Sequence, residues 1–262
     1  MKQLTLVPIA KSSATLWIAA IGAALAWTSS SHAISLSPLA DTYVQISSTA
    51  NNSAATQMLV KNQNNNANER ISFLRFDGSG LTSGTVDTAS LDLKIFSFSN
   101  KANMTLQLFG IADGAFNEAF DASTLTYTNS GYTTVAEPDN NVIDGLFSGG
   151  APLATFALLN TANVGDLISF SGAGLVSFLN ANSNADIAFV ITTATINDQV
   201  FLGLGTTENS GNVPALNYTV VPEPSSLALA TMGGLGLFAL RRRFGRASAP
   251  RRQLAASETS AA

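Results

Sequence analysis

Few residues in this chain are equipped for nucleophilic or metal chemistry. Cysteine is absent from all 262 residues, and the single histidine is His32. The segment 34–220 therefore has neither. A Ser-His-Asp triad, a thiolate nucleophile and a His- or Cys-ligated zinc are all unavailable to it. What remains is the chemistry of carboxylates, tyrosine, lysine and arginine. Paired carboxylates can hydrolyse glycosides. The fifteen Asp and Glu of 34–220 are scattered, however, so a close pair arises readily by chance.

The two ends of the chain explain why 34–220 is taken as a unit. Lys2 and Lys11 precede a mostly apolar run, Leu16 to Trp27, which leads to Ser31-His32-Ala33. A positive start, a short apolar stretch and small residues at the −3 and −1 positions make a secretory signal peptide, with cleavage expected after Ala33. At the other end, Pro222-Glu223-Pro224 is followed by an uncharged apolar run over 225–240 and then by Arg241, Arg242 and Arg243. Such a run rises about 24 Å as a helix, slightly short of a ~30 Å hydrocarbon core. The arginines at its end mark a cytoplasmic boundary, so the segment reads as a stop-transfer helix.

This order of parts resembles the PEP-CTERM protein-sorting signal of Gram-negative bacteria. The resemblance covers 221–246, leaving 247–262 as an expected disordered extension. It implies that a membrane-embedded exosortase recognises the tail. It also implies export to the cell surface or extracellular matrix, in cells that make exopolysaccharide or biofilm. The inner-membrane precursor would be held by the C-terminal helix.

Setting the ends aside changes the charge balance. Residues 34–220 carry fifteen acids against five cations (Lys61, Arg70, Arg75, Lys94, Lys101), a net of −10, whereas the whole chain has a formal −4. No cluster of cations is left to bind phosphates, which excludes nucleic acid as a partner. Both tryptophans, Trp17 and Trp27, also fall outside the segment.

Within 34–220 the apolar pattern has period two. Ala89, Leu91, Leu93 and Ile95 alternate with Ser90, Asp92, Lys94 and Phe96, the pattern of a half-buried strand. Further strands are expected at 42–46, 58–60, 71–76, 104–111, 153–158, 167–169, 187–193, 200–204 and 215–220. A short helix is expected at 174–180. Asn- and Gly-rich stretches such as 62–68 and 149–152 supply turns. The expected fold is all-β, a single antiparallel β-sandwich of jelly-roll type. A chain of this length can bury roughly 70% of its unfolded surface.

Four pieces of the segment resemble the DNRLRE-type family of extracellular β-sandwiches, which is related to carbohydrate-binding modules. They are Ala40-Asp41-Thr42-Tyr43-Val44; Arg70 to Asp77 with Leu81 and Val86 to Leu93; Phe116-Asn117-Glu118 with Leu125 to Asn129; and Glu208 with Pro214-Ala215-Leu216. Phe116 and Tyr127 stand where that family usually shows tryptophan, which weakens the case for aromatic stacking on sugar rings. Tyr127 and Tyr132 are the remaining candidate platforms, with Tyr43 behind them.

Arg75 shares a strand face with Ile71 and Phe73, so it needs a counter-charge. An ion pair with Glu118 or Asp41 is the preferred reading, and a cation facing an acidic sugar is the alternative. Asp41, Asp77, Asp113 and Asp121 are candidate ligands for a structural calcium ion, although no EF-hand or nonapeptide repeat is present. No other cofactor is expected.

The resulting expectation is a non-catalytic, exported, exosortase-sorted envelope or matrix protein with affinity for polysaccharide. Its rivals are a polysaccharide lyase or glycosidase using carboxylate or Tyr chemistry, and a purely structural matrix or adhesion protein.

Overall fold

A computed structural model describes residues 31–63, 68–83, 85–115, 117–134, 141–143, 147–182 and 184–221. The expected signal segment up to residue 30, the Pro-Glu-Pro motif, the apolar run 225–240 and the arginines all lie outside the described residues, as does Phe116. Among the described residues, no helix is long and apolar enough to cross a membrane.

The fold is all-β and consists of two main antiparallel sheets. The first contains β1 (His32–Leu36), β3 (Gln57–Val60), β5 (Thr85–Phe98), β10 (Leu167–Ser171), β12 (Leu202–Gly205) and β13 (Ala215–Val221). The second runs in the order β2 (Ala40–Gln45), β4 (Arg70–Asp77), β11 (Asp186–Thr193), β6 (Met104–Gly110) and β9 (Ala154–Leu158). A small ribbon pairs β7 (Tyr132–Thr134) with β8 (Asn141–Ile143).

β5 is the spine of the first sheet. Its alternation buries Leu91, Leu93 and Ile95 and turns Thr88 and Lys94 outward. β12 pairs with its C-terminal half and β13 with its N-terminal half, so the two form one line interrupted by the loop 206–214. β1 then pairs with β13, His32 opposite Val220, which brings the first and last described strands side by side.

Sequence reading places the strands of the two main sheets to within a few residues except β1, because Ser31-His32-Ala33 reads as a cleavage site, and it does not anticipate the short ribbon strands β7 and β8. His32 and Ala33 are part of that strand. A cut after Ala33 would leave Ile34, Ser35 and Leu36 paired with Tyr218, Asn217 and Leu216.

The core between the sheets joins Leu91, Leu93, Phe170, Leu204 and Leu216 of one to Leu74, Phe76, Leu106 and Phe189 of the other. A second apolar cluster lies on the far side of the second sheet. There Val44, Ile71, Phe73, Phe109 and Val190 meet Phe120 and Leu125 from the segment after β6. β11 is therefore covered on both faces, and all of Ile187 to Thr193 is buried.

Helix α1 (Ala173–Ala181) closes one end of the core. Leu175, Phe178 and Leu179, spaced three and four apart on one face, are buried. Phe178 packs on Phe189 at 5.3 Å between ring centroids. It also lies where a side chain at Gly110 would otherwise stand. Asn180 accepts the N–H of Val86 at 2.8 Å and donates to its carbonyl at 3.0 Å, so its amide substitutes for a strand neighbour near the start of β5.

Candidate functional site

The outward face of the first sheet is built from short polar side chains. Because residues alternate along each strand, Ser35 of β1, Asn217 and Thr219 of β13, Thr88, Ser90 and Asp92 of β5, and Ser169 and Ser171 of β10 all turn away from the core. The register aligns them in rows. Thr219 lies opposite Thr88, Asn217 opposite Ser90, and Ser169 opposite Asp92. The result is a field of hydroxyls, amides and one carboxylate.

Hydrogen bonds hold this field in place. The Thr88 and Thr219 hydroxyls are 2.7 Å apart, and the Thr88 N–H donates to the Thr219 hydroxyl at 3.2 Å. Asp92 accepts from Ser169 Oγ at 2.6 Å and from Asn217 Nδ2 at 2.8 Å. Lys94, farther along the same face, donates to the carbonyl of Gly211 at 3.1 Å. Its charge is therefore directed to the 206–214 loop.

Two depressions meet at Thr88 and Ala89. One, of ≈ 340 Å³, runs across Ser35, Ser90, Asn217 and Thr219. The other, of ≈ 540 Å³, extends past Ser171, Gly172 and Val176 at the start of α1. Together they form a shallow groove crossing three strands. Its hydroxyls and amides both donate and accept hydrogen bonds, which is the complement of a sugar hydroxyl. Some apolar surface, from Ala89 and Val176, adjoins them.

The residues singled out from sequence are elsewhere. Tyr127 is half-buried against the second apolar cluster, on the far side of the other sheet. Tyr132 lies in β7, and its side chain is outside the described residues. Tyr43 packs against the central core. Arg75 pairs with Asp186 at 3.2 Å, with side chains 23% and 31% exposed. Its partner is thus neither Glu118 nor Asp41. Across the strands Arg75 faces Ala188, so Asp186, two positions along β11, reaches it diagonally.

The four candidate calcium ligands do not converge. Asp77 caps its own turn by accepting the N–H of Ser79 at 2.9 Å, and Asp121 does the same for Ser123 at 2.8 Å. These bonds hold both carboxyls below the usual carboxylate range. Asp41 is buried, with one oxygen bonded to the N–H of Thr207 and the other without a donor. Burial, aided by the charge of Glu208, pushes it up to about 6. Asp113 lies against Glu118, whose carboxyl is also raised, first by burial. Among the described residues, no three of His, Asp or Glu gather into one group.

The polar face escaped the sequence reading because no single residue in it is distinctive. Its only signal was the abundance of Ser, Thr and Asn together with period-two alternation, which assigns a residue to a face without saying which strands adjoin.

Comparison with family models gives two matches. Residues 32–137 match carbohydrate-binding module family 96, and residues 220–243 match the PEP-CTERM protein-sorting motif. The first match begins at His32, where β1 begins, and takes in β1 to β7, including all of β5 and three of the five strands of the second sheet. No curated protein matches the chain.

Proposed function

We propose that this is an exported surface or matrix protein that binds polysaccharide through the polar face of its first sheet and is sorted by an exosortase acting on its tail. The observation that carries the binding reading is the pre-bonded field of Thr88, Ser90, Asp92, Asn217 and Thr219 in a groove across β1, β13 and β5. It coincides with a chain whose first half matches a carbohydrate-binding module. Hydrogen bonds among these side chains fix their rotamers before a ligand arrives, which lowers the entropy lost on binding.

The one aromatic residue lining the groove, Tyr218, is buried, and Lys94 is engaged, so the groove favours neutral, hydroxyl-rich glycans over polyuronates. Binding rather than catalysis is the role. Among the described residues, the close carboxyl pairs Asp41 with Glu208 and Asp113 with Glu118 each include a residue buried to 4% exposure or less and lie apart from the groove.

Affinity electrophoresis of the full chain in gels containing neutral or acidic polysaccharides tests this. Retardation by a neutral glycan that is lost in Asn217→Ala is the expected result. Retardation unaffected by Asn217→Ala and Thr88→Val together would refute the assignment of the face. Release of reducing ends would overturn the non-catalytic reading.

A further inference from the structure

On the reading that the polar face binds polysaccharide, we propose that the depression beside α1 is a subsite for a methyl-bearing substituent on a neutral glycan. That substituent is an O-acetyl ester or the methyl group of a 6-deoxy sugar. The two depressions that meet at Thr88 and Ala89 differ in kind. The one across β1 and β13 is lined by hydroxyls and an amide, from Ser35, Ser90, Asn217 and Thr219. In the other, Gly172, Ala173 and Val176 of the turn and helix stand opposite Ala89.

Two backbone irregularities create this notch. β10 ends at Ser171, opposite Ser90 of β5. Among the described strands none lies beside Asp87 to Ala89 on that side, and α1 takes the place of one, its Asn180 bonding Val86. Gly172 turns the chain from β10 straight into α1 at a φ of +128°, which L side chains rarely adopt. A Cβ there would meet no atom within 4 Å, so the corner is open. On the strand side, the pairing of β5 with β13 passes from Thr88–Thr219 to Val86–Val220, which makes Asp87 an extra residue in β5. Asp87 and Thr88 are therefore exposed in succession, and both line the notch.

The shape and lining of the notch decide what it takes. A flat aromatic surface suits the C–H face of a sugar ring, whereas a corner between strand and helix suits a group that projects from one. Ala89 and Val176 are half-buried against the core, and with Ala173 they make the lining aliphatic. A sugar hydroxyl pushed among them would lose its bonds to water without replacement, while a methyl group gains by leaving water. The hydroxyls of Ser171 and Ser177 border the same space and can donate to an ester carbonyl. Asp87 repels anionic substituents such as sulfate or phosphate, which leaves neutral ones. A volume of ≈ 540 Å³ also leaves room for the ring that bears the substituent, next to the hydroxyl-lined half of the groove.

The test is affinity electrophoresis of the full chain, in mild detergent, against an O-acetylated galactoglucomannan and the same polymer after saponification. In a second arm, methyl α-D-mannoside and its 6-deoxy analogue, which differ only at the 6-hydroxyl, compete for the protein. One methyl group in an apolar pocket changes affinity about tenfold or more. A preference of that size for the acetylated polymer, or for the 6-deoxy glycoside, is expected, and the arm that shows it identifies the group. Ala173→Leu, at an exposed position, fills the notch, and Val176→Thr places a hydroxyl in it. Each should bring the paired ligands close to equal. Equal affinity within both pairs overturns the subsite and leaves the polysaccharide reading standing. A preference undiminished in either variant overturns it as well. No retardation by either polymer and no competition defeats the subsite and the polysaccharide reading together.

Discussion

The buried carboxylate of Asp41 accepts the backbone N–H of Thr207 at 2.9 Å, which ties the edge strand β2 of one sheet to the loop that interrupts β12 and β13 in the other. The bond satisfies one oxygen only. The second is buried beside Glu208 with no donor, and burial pushes the group up to about 6 from the ordinary 3.8.

That elevation fixes the sign of a pH effect. Between pH 3.8 and about 6 the folded state keeps a proton on Asp41 that the unfolded chain has released. The contribution of Asp41 is therefore most favourable below this window, declines as pH rises through it and is level above. The loss is on the order of 3 kcal/mol. Asp41→Asn removes this dependence and should be the more stable protein near pH 8, since an amide can donate to Glu208 where a carboxylate repels it. Denaturant titrations of both proteins near pH 4.5 and pH 8 measure the difference, which isolates Asp41 from other acids. A difference that does not change with pH, or changes in the opposite sense, contradicts the assignment.

Gly174 gives a prediction against intrinsic propensity. In the interior of a helix, Gly→Ala ordinarily stabilises by about 1 kcal/mol. Here an added Cβ would meet the carbonyl oxygen of Leu153, which is backbone and cannot rotate away. Overpacking of this kind costs about 1–3 kcal/mol. Gly174→Ala should thus lower Tm despite its better helix former, and a rise in Tm would show that α1 can shift away from the segment before β9.

Much of this fold was legible because each sheet has at least one strand whose two faces meet different surroundings. Leu91, Leu93 and Ile95 announce β5 since Ser90, Asp92 and Lys94 face solvent. Helix α1 was legible from its short apolar face. β1 was not, because Ser31-His32-Ala33 has two meanings, and the second, strand pairing with β13, depends on residues nearly the whole domain away. The partner of Arg75 was hidden for the same reason. Its strand revealed the need for a counter-charge, but the identity of that charge depends on which strand lies next to β4. The groove was the least legible feature, since Thr88 and Asn217 come to adjoin only when β13 is laid beside β5.

The Arg75–Asp186 pair should contribute little. Both side chains remain partly solvated, and exposed pairs are worth about 0–1 kcal/mol. A double-mutant cycle with Arg75→Met and Asp186→Ala should give a coupling energy within that range. Polysaccharide binding should be unchanged in Arg75→Met, because Arg75 belongs to the other sheet. A large loss of binding would instead restore Arg75 as a ligand-facing cation.

Phe189 should be among the most costly core positions. It is fully buried between Phe76 at 6.0 Å and Phe178 at 5.3 Å, so both the second sheet and α1 rest on it. Phe189→Leu should cost less than Phe189→Ala, for which about 3–5 kcal/mol is expected. Because Phe178 also covers Gly110, the smaller side chain should loosen α1 first. Hydrogen exchange can report this as a loss of protection over 173–181 at low denaturant, ahead of β5. Uniform loss across both regions would show that the helix and the sheets unfold as one unit.

The junction between domain and tail bears on sorting. β13 ends at Val221, and Pro222 follows directly, so no spacer separates the last paired residue from the Pro-Glu-Pro motif. Proline cannot donate to a strand ladder, which makes Pro222 a natural stop for β13. A cut on the C-terminal side of the motif would therefore leave β13 and its pairing with β1 and β5 intact. Replacing Pro222-Glu223-Pro224 by three alanines should leave the folded domain stable while the uncut precursor accumulates in the inner membrane. Fractionation and immunoblotting of wild type and variant would show this as a shift from the surface fraction to a larger membrane-bound band. A variant that matures and reaches the surface at the wild-type level would mean that the tail is not read as a sorting signal.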